Sequence, residues 1–477
     1  MLPPAIVHYL QNRRQQHLSS LMELLRFPSI ANVQASPDPC VQCAQWLVEY
    51  LSKLGLHAKL LTPASVGQAP RQAKPNILAS AHVRDDAPTL LIYGHYDVQP
   101  PDPLELWKSD PFSPQVRDGF LYARGASDDK GQLFAHLMAL EAWQHAGGGL
   151  PVNVKLLIEG EEEIASPTLE KFMAGHIEQL KADAAVISDS EFFAPGIPSL
   201  TTSLRGLAYV EVTFRGPDTD VHSGLHGGAV TNPVNALAAL VGALHDAQGR
   251  ITIDGFYDDV LPPEEAQRRT WAKLPFDEAR YAASLGVETL GGGEKGYSAL
   301  ERRWARPTLD CNGIVAGYTG RGSKTIIPSQ ALVKISMRLV ANQAPGKVIE
   351  GFKRFVAGHT PPGIRSEVKV SGGARPVMLR VDSPSMTAAA EALQEAFGAQ
   401  TAFIRCGASV PVTEYIQRLL GLDAVLMGWG LPDDGPHSPN EHFALEQLWR
   451  GSQAAAAFLG NLGRLGGAVR GKSSRPQ

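Results

Sequence analysis

The sequence predicts an α/β protein: a mostly parallel sheet flanked by helices and interrupted by an inserted α+β domain. Three observations carry that reading. Over the first two hundred or so residues, short apolar runs alternate with helical stretches, the pattern of a sheet covered on both faces. After "TTSLRGLAYVEVTFRG" the texture changes, and "AYVEVTF" alternates strictly, as a half-exposed antiparallel strand does. From about residue 381 the helix-then-buried-strand texture returns. A chain of 477 residues is also too long for one core. We therefore expect an outer α/β domain at 1–205 and 381–477, and an insert at 206–380.

The elements follow in order. Residues 5–27 place apolar positions at helical spacing beside a polar "QNRRQQ" face, and a second helix covers 38–54, ending at Gly55. "HAKLL" from 57, "TLLIY" from 89, "NVKLLIE" from 153 and "AAVISD" from 184 read as strands. Among them "GQLFAHLMALEAWQHAGG" reads as an amphipathic helix closed by glycines. In the insert, "ALVKISMRLV" from 331 and "SEVKVSG" from 366 are strands, with helices at 233–246 and 346–357. "DAVLMGWG" (423–430) is a late buried strand, and the final "GKSSRPQ" reads as a frayed tail.

Hydrophobic residues make up 44% of the chain and charged residues 19%, an ordinary globular balance. A formal net charge of −4 leaves no electrostatic footprint for nucleic acid or an anionic membrane. No apolar run approaches the roughly 18 residues that span a bilayer. The opening "MLPPAIVHYLQNRRQQHL" lacks the pattern of a secretory signal, so a cytoplasmic location is expected. Four cysteines are too few for a disulfide framework. Cys40 and Cys43 form one C-x-x-C, read here as two small apolar residues on a helix rather than a redox or zinc pair.

The stretch "TLLIYGHYDVQPPDPLELW" (89–107) raises the functional question. A buried strand breaks at Gly94 and sets His95 and Asp97 on one side of an extended chain. Asp128 and Asp129 in "YARGASDDKGQ" precede a helix, and "LLIEGEEEIAS" ends a strand in Glu161, Glu162 and Glu163. "AVISDSEFF" ends another strand at Asp189, and "GWGLPDDGPHSPNEH" follows a late strand with His437. In open α/β sheets, ligand sites gather beyond the carboxyl ends of the strands. So many carboxylates share a dry cleft only if something positive neutralises them. Imidazoles with several carboxylates suit Zn²⁺ or Mn²⁺, and more than four such donors point to two ions sharing a bridging carboxylate. Asp97 would then fix the His95 ring. Taken singly the pieces have plainer readings: a surface His-Asp pair, a solvated run of glutamates, and a helix cap at Asp128–Asp129.

In order and spacing, "GHYDVQP", "ARGASDDKGQ", "EGEEEIAS", "ISDS" and "DDGPHSPNE" resemble the signature segments of the M20 metallopeptidases, above all the branch of cytosolic non-specific dipeptidases and carnosinases. The resemblance covers essentially the whole chain. It implies that His95, Asp128 and Asp189 hold one metal and Asp128, Glu163 and His437 the other, with Asp128 bridging. It makes Glu162 the general base that activates a water between the metals, and Asp97 the orienting carboxylate. Glu161 is left as a solvated charge. "DTDVHSGLHGG" resembles the family's lid segment, whose His222 polarises the substrate carbonyl in the partner subunit's active site, His226 being structural. "SKTIIPSQALVKISMRLV" resembles the segment whose Thr325 and Arg338 bind substrate, Arg338 taking the C-terminal carboxylate. "RCGASVP" resembles the loop that offers Ser409, and His437 also counts among the substrate-binding residues. Cys406 stands where many relatives carry an acidic residue, and Ala165 where they usually carry glycine.

The resemblance thus implies a pair of divalent ions as cofactor, zinc first, with Mn²⁺ or Co²⁺ also suited. It implies a dipeptide substrate, a catalytic domain at 1–205 and 381–477, and a homodimer formed through the 206–380 lid. The nearest rival is an M20-type amidohydrolase or deacylase acting on N-acyl amino acids or a related acylated metabolite. A nucleotide-binding module is disfavoured: "GGGEKG" at 291 fits G-x-G-x-x-G, but no buried strand precedes it and Pro307 limits any helix after it. Retention of Glu162 with the full ligand set argues against a non-catalytic binding protein.

Overall fold

A computed structural model describes residues 1–33, 35–63 and 73–469; the "GKSSRPQ" tail lies outside them. The chain divides into two compact units, Met1–Thr202 with Leu379–Ile404 and Pro411–Gln477, and Ser203–Met378 with Arg405–Val410.

The first unit is built on a mostly parallel sheet. Asn153–Glu159, Thr89–His95, Ala184–Ile187 and Ala424–Leu426 lie side by side and run parallel. Antiparallel strands extend this core: Asn76–Ala81 and His57–Leu61 on one flank, Ser199–Leu204 on the other. Every residue from Leu90 to His95 is buried, which requires cover on both faces and explains the unbroken apolar run. Gly94 does not break that strand. A Cβ there would lie 2.9 Å from Leu133 and 3.0 Å from an Asp129 oxygen, so glycine admits the start of the next helix.

That helix, Lys130–Ala146, is buried from Lys130 to Trp143 and packs on Leu445–Leu465. It is therefore an interior helix rather than the amphipathic one expected from its pattern. The N-terminal helix divides in two, Pro4–Asn12 and Arg14–Leu25, because Arg13 leaves helical geometry at φ −104° and ψ 10°. Cys40 and Cys43 are free thiols buried on the helix Pro39–Lys53, which Asp38 caps by accepting from the Cys40 amide at 2.9 Å.

The second unit is α+β. Its antiparallel sheet orders the strands Thr308–Ala316, Gln330–Leu339, Gly206–Arg215 and Arg365–Ala374. Helices Pro233–Ala243 and Pro345–Gly358 cover one face, burying Val210, Val212, Phe214, Val333, Ile335 and Met337. The alternate residues form the opposite face. Thr308–Ala316 was not legible as a strand, since a register shift between Cys311 and Gly313 interrupts its alternation. Among the described residues no helix is long and apolar enough to cross a membrane.

Candidate metal centre and active site

The parallel strands deliver the chemistry at their carboxyl ends. His95 is the last residue of its strand, Glu162 and Glu163 open a short turn after Glu159, and Asp189 follows Ile187. His437 comes from the loop after Ala424–Leu426, and Asp128 from the loop before Lys130–Ala146. All six belong to the first unit.

Asp128 is the hub. Its Oδ1 lies 3.0 Å from His95 Nε2 and its Oδ2 lies 3.0 Å from His437 Nε2. The same His437 nitrogen is 3.1 Å from a Glu163 oxygen. Two groups of donor atoms result, each within 4.8 Å: His95, Glu162 and Asp189, and Asp128, Glu163 and His437. The second is the expected set. In the first, Glu162 joins His95 and Asp189, while Asp128 reaches His95 with one oxygen and the other group with the second.

The electrostatics show what such a cluster lacks. Burial, and then the charge of Asp128, pushes the Asp189 carboxyl up to about 7. Burial likewise raises Glu162 well above the usual carboxylate range, since the pull of His95 does not offset Asp189, Glu159 and Asp128. His437, bonded to Asp128 and Glu163, is pushed up to about 10. Acids forced towards neutrality and imidazoles forced towards charge mark a set of ligands short of positive charge. Carboxylate and imidazole donors in two adjoining groups fit a pair of divalent cations.

Residues 91–461 match the peptidase family M20/M25/M40. The chain belongs to this family. It is 30% identical over 475 residues to the Cys-Gly metallodipeptidase of Candida albicans, covering 95% of this chain and 96% of that one. It is 31% identical to the human Beta-Ala-His dipeptidase, covering 97% of this chain and 94% of the relative. Among solved structures, an M20 family metallo-carboxypeptidase from Sulfolobus solfataricus superposes with a TM-score of 0.83 at 35% identity, covering 94% of this chain and all of that one. The protein is thus a metallopeptidase, a hydrolase of peptide bonds.

In this M20 enzyme a further set of buried groups holds the donors in place. Asp97 accepts from the Glu162 amide at 3.2 Å and the Glu163 amide at 3.0 Å, with its Oδ1 3.5 Å from His95 Nδ1. Its tighter contacts are therefore with the glutamate turn, while His95 Nδ1 also meets the Asp97 carbonyl at 3.1 Å. Asp129 does not cap the following helix through its side chain; its carboxylate accepts from the His95 amide at 3.2 Å. Glu161 is 2% exposed, not solvated, and accepts from the Lys74 amide and the Thr168 hydroxyl. Burial with internal donors decides this, which a run of three glutamates does not reveal. Ala165 ends the turn at φ +67°, the left-handed region that glycine occupies freely.

Two supporting residues escaped the sequence reading. Glu441, fully buried, accepts from Arg124 and from the amides of Gly125, Ser127 and Asp128 at 2.8–3.1 Å, so one carboxylate shapes the whole Asp128 loop. Gln99 donates to a Glu163 carboxylate oxygen at 2.7 Å. Glu441 is the last residue of the quoted "DDGPHSPNE" segment, but nothing local tells its role.

The segments expected to bind substrate lie in the second unit. Val221–His222 pairs with Ile326–Ile327, which sets Thr325 beside His222; both are exposed. His222 Nδ1 accepts from the Gly224 amide at 2.9 Å, and the Ser223 amide donates to the Thr325 carbonyl at 3.0 Å. His226 is exposed, and its carbonyl accepts from the amides of Ala229 and Val230. Arg338 Nη1 donates to Ser409 Oγ at 3.2 Å.

Proposed function

We propose that this enzyme is a two-metal dipeptidase with Glu162 as general base. The observation that carries the reading is the pair of donor groups joined through Asp128, with Glu162 among them. His95, Asp128 and Asp189 would hold one divalent cation and Asp128, Glu163 and His437 the other, zinc being the first choice. Bound there, such cations would supply Lewis acidity and bring the pKa of water towards neutrality.

The chain's own residues do the rest. Glu162 accepts the proton of the attacking water and returns it to the leaving amine, and burial that raises its pKa suits both directions of transfer. Asp97 fixes the turn that presents Glu162 and Glu163. His222, whose Nδ1 is held by the Gly224 amide, would stabilise charge on the scissile carbonyl oxygen from a second copy of the chain. The second unit would then be the lid and dimerisation domain. Thr325, Arg338 and Ser409 would place the substrate, Arg338 through its carboxylate, with His437 beside it. Two of the full-length relatives are named dipeptidases, which supports a dipeptide over an acylated metabolite. The cytoplasmic location expected from the sequence belongs to this reading.

The test is one panel. Metal-free protein is reloaded with Zn²⁺, Mn²⁺ or Co²⁺ and assayed on Ala-Ala and N-acetyl-Ala-Ala. Restored cleavage of the free dipeptide alone supports the reading. Preference for the N-blocked peptide transfers the enzyme to the deacylase class. Mixing His222→Ala with Glu162→Ala subunits should rescue activity if the site is shared, and no rescue despite proven exchange argues against sharing.

A further inference from the structure

We propose that Arg205 is a second positive arm of the site for the substrate's C-terminal carboxylate, favouring the free acid over its amide. The proposal rests on the dipeptidase reading above. Arg205 immediately precedes the strand Gly206–Arg215, in which Leu207 pairs with Arg338 of Gln330–Leu339. Positions 205 and 207 of an extended chain face one side, and residues 208, 210 and 212 face the helices. Both arginines therefore rise from the uncovered face of the sheet.

They converge on one loop. Arg338 Nη1 donates to Ser409 Oγ at 3.2 Å, and Ser409 Oγ donates in turn to the Arg205 carbonyl at 2.5 Å. The Arg205 amide donates to the Ala408 carbonyl at 3.2 Å, and Arg205 Nε to the Gly407 carbonyl at 3.1 Å. A Cβ on Gly407 would stand 2.6 Å from Arg205 Nη2, so glycine there leaves room for the guanidinium.

The guanidinium is left one hydrogen bond short. Arg205 Nη1 is buried with no hydrogen-bond partner among the described residues. Burial, and then the positive charge of Arg338, lowers the Arg205 pKa to about 10 and outweighs the pull of Cys406 and Asp310. Arg306 in the same unit shows the alternative, a guanidinium closed by Glu294 through two contacts of 2.9 Å. Arg338 bonded to the Ser409 hydroxyl, and Arg205 on the same face with Nη1 unbonded despite the charge of Asp310, suit a carboxylate brought by a ligand. The second positive charge strengthens attraction for the acid and gives a neutral amide nothing.

The experiment compares wild type, Arg338→Gln, Arg205→Gln and Arg205→Lys on Ala-Ala and on its C-terminal amide, all loaded with one metal, with melting temperatures recorded. Arg205→Gln should raise KM for the acid by about tenfold or more, leaving kcat and the amide's kcat/KM near wild type. Arg205→Lys should recover part of the preference for the acid. An unchanged acid-to-amide ratio in Arg205→Gln, or an equal loss on both substrates, overturns the proposal and leaves Arg205 as a loop clamp. If that variant does not fold, Gly407→Ala, which crowds the guanidinium aside, is read in the same way. A wild type that cleaves neither peptide overturns the dipeptidase reading itself, and the proposal with it.

Discussion

The two units carry opposite excesses of charge. The first gathers Asp128, Glu162, Glu163 and Asp189 around only two imidazoles. The second sets Arg205 beside Arg338 with a hydroxyl between them. Each cluster rests on a backbone already tied down: Glu441 and Asp97 hold the amides beneath the acids, and the Gly407 and Ala408 carbonyls hold Arg205. Charges meant only for structure look different. Arg306–Glu294 and the Glu141 cluster are closed by opposite charges within the protein. A rigid cluster of like charge is the negative image of its ligand, and the sign of the excess names that ligand's charge.

The sharpest way to break this comparison is to change Glu162. Glu162→Gln keeps the shape and an oxygen donor but removes the proposed base. Turnover should fall by roughly 10²–10⁴-fold while metal analysis still finds two ions per chain. Near-normal turnover would remove Glu162 as base and leave it an acid of the cluster like the others. Next in size is Glu441→Gln, which withdraws the charge that four donors address from behind Asp128. Metal affinity should drop about 10–100-fold by titration, with the donors themselves untouched. Unchanged affinity would mean that the Asp128 loop holds itself.

Most of the cradle was legible because its donors sit just past buried strands, where position along the chain and position in space coincide, while Asp128 sits in the loop before a helix. His95, Asp189 and the Glu162–Glu163 turn follow apolar runs that the sheet buries. Glu441 and Asp129 were illegible as supports because, Arg124 apart, their partners are backbone amides, which carry no residue identity. Arg205 was hidden for the same reason, its clamps being two carbonyls of a loop some 200 positions away. The helical segments Glu265–Trp271, Glu278–Ser284 and Ala299–Trp304 lacked a readable period because each is only six or seven residues long.

Glu141 provides the paired control. Burial pushes its carboxyl up, but His17, Tyr9 and Arg13 outweigh that and hold it below the ordinary value of 4.5. A depressed acid contributes stability that is present above its unfolded pKa and lost as pH falls through the folded value. The stability gap between wild type and Glu141→Gln, read from denaturant midpoints, should therefore be widest above pH 4.5 and narrow in more acidic medium. Both proteins carry the same cluster of donor residues, so the cradle cancels from the difference. A gap that ignores pH would show Glu141 to be held by packing alone.

The smallest effect isolates the strain of presenting the glutamates. The turn Glu162–Ile164 closes through the Ala165 amide on the Glu162 carbonyl and the Ser166 amide on the Glu161 carbonyl, both 2.8 Å. That closure leaves Ala165 at φ +67° and ψ 33°, where its Cβ crowds the following carbonyl and costs roughly 1–2 kcal/mol. Glycine relieves the crowding but adds freedom to the unfolded chain worth about 0.4–1 kcal/mol, so Ala165→Gly should stabilise by only about 0.5–1 kcal/mol. Activity should not change, because glycine adopts the same backbone and leaves Asp97 on the two amides. A destabilised variant would mean that the Ala165 methyl packs usefully. A stabilised but slower one would mean that strain in the turn helps aim Glu162, tying the small term to the largest.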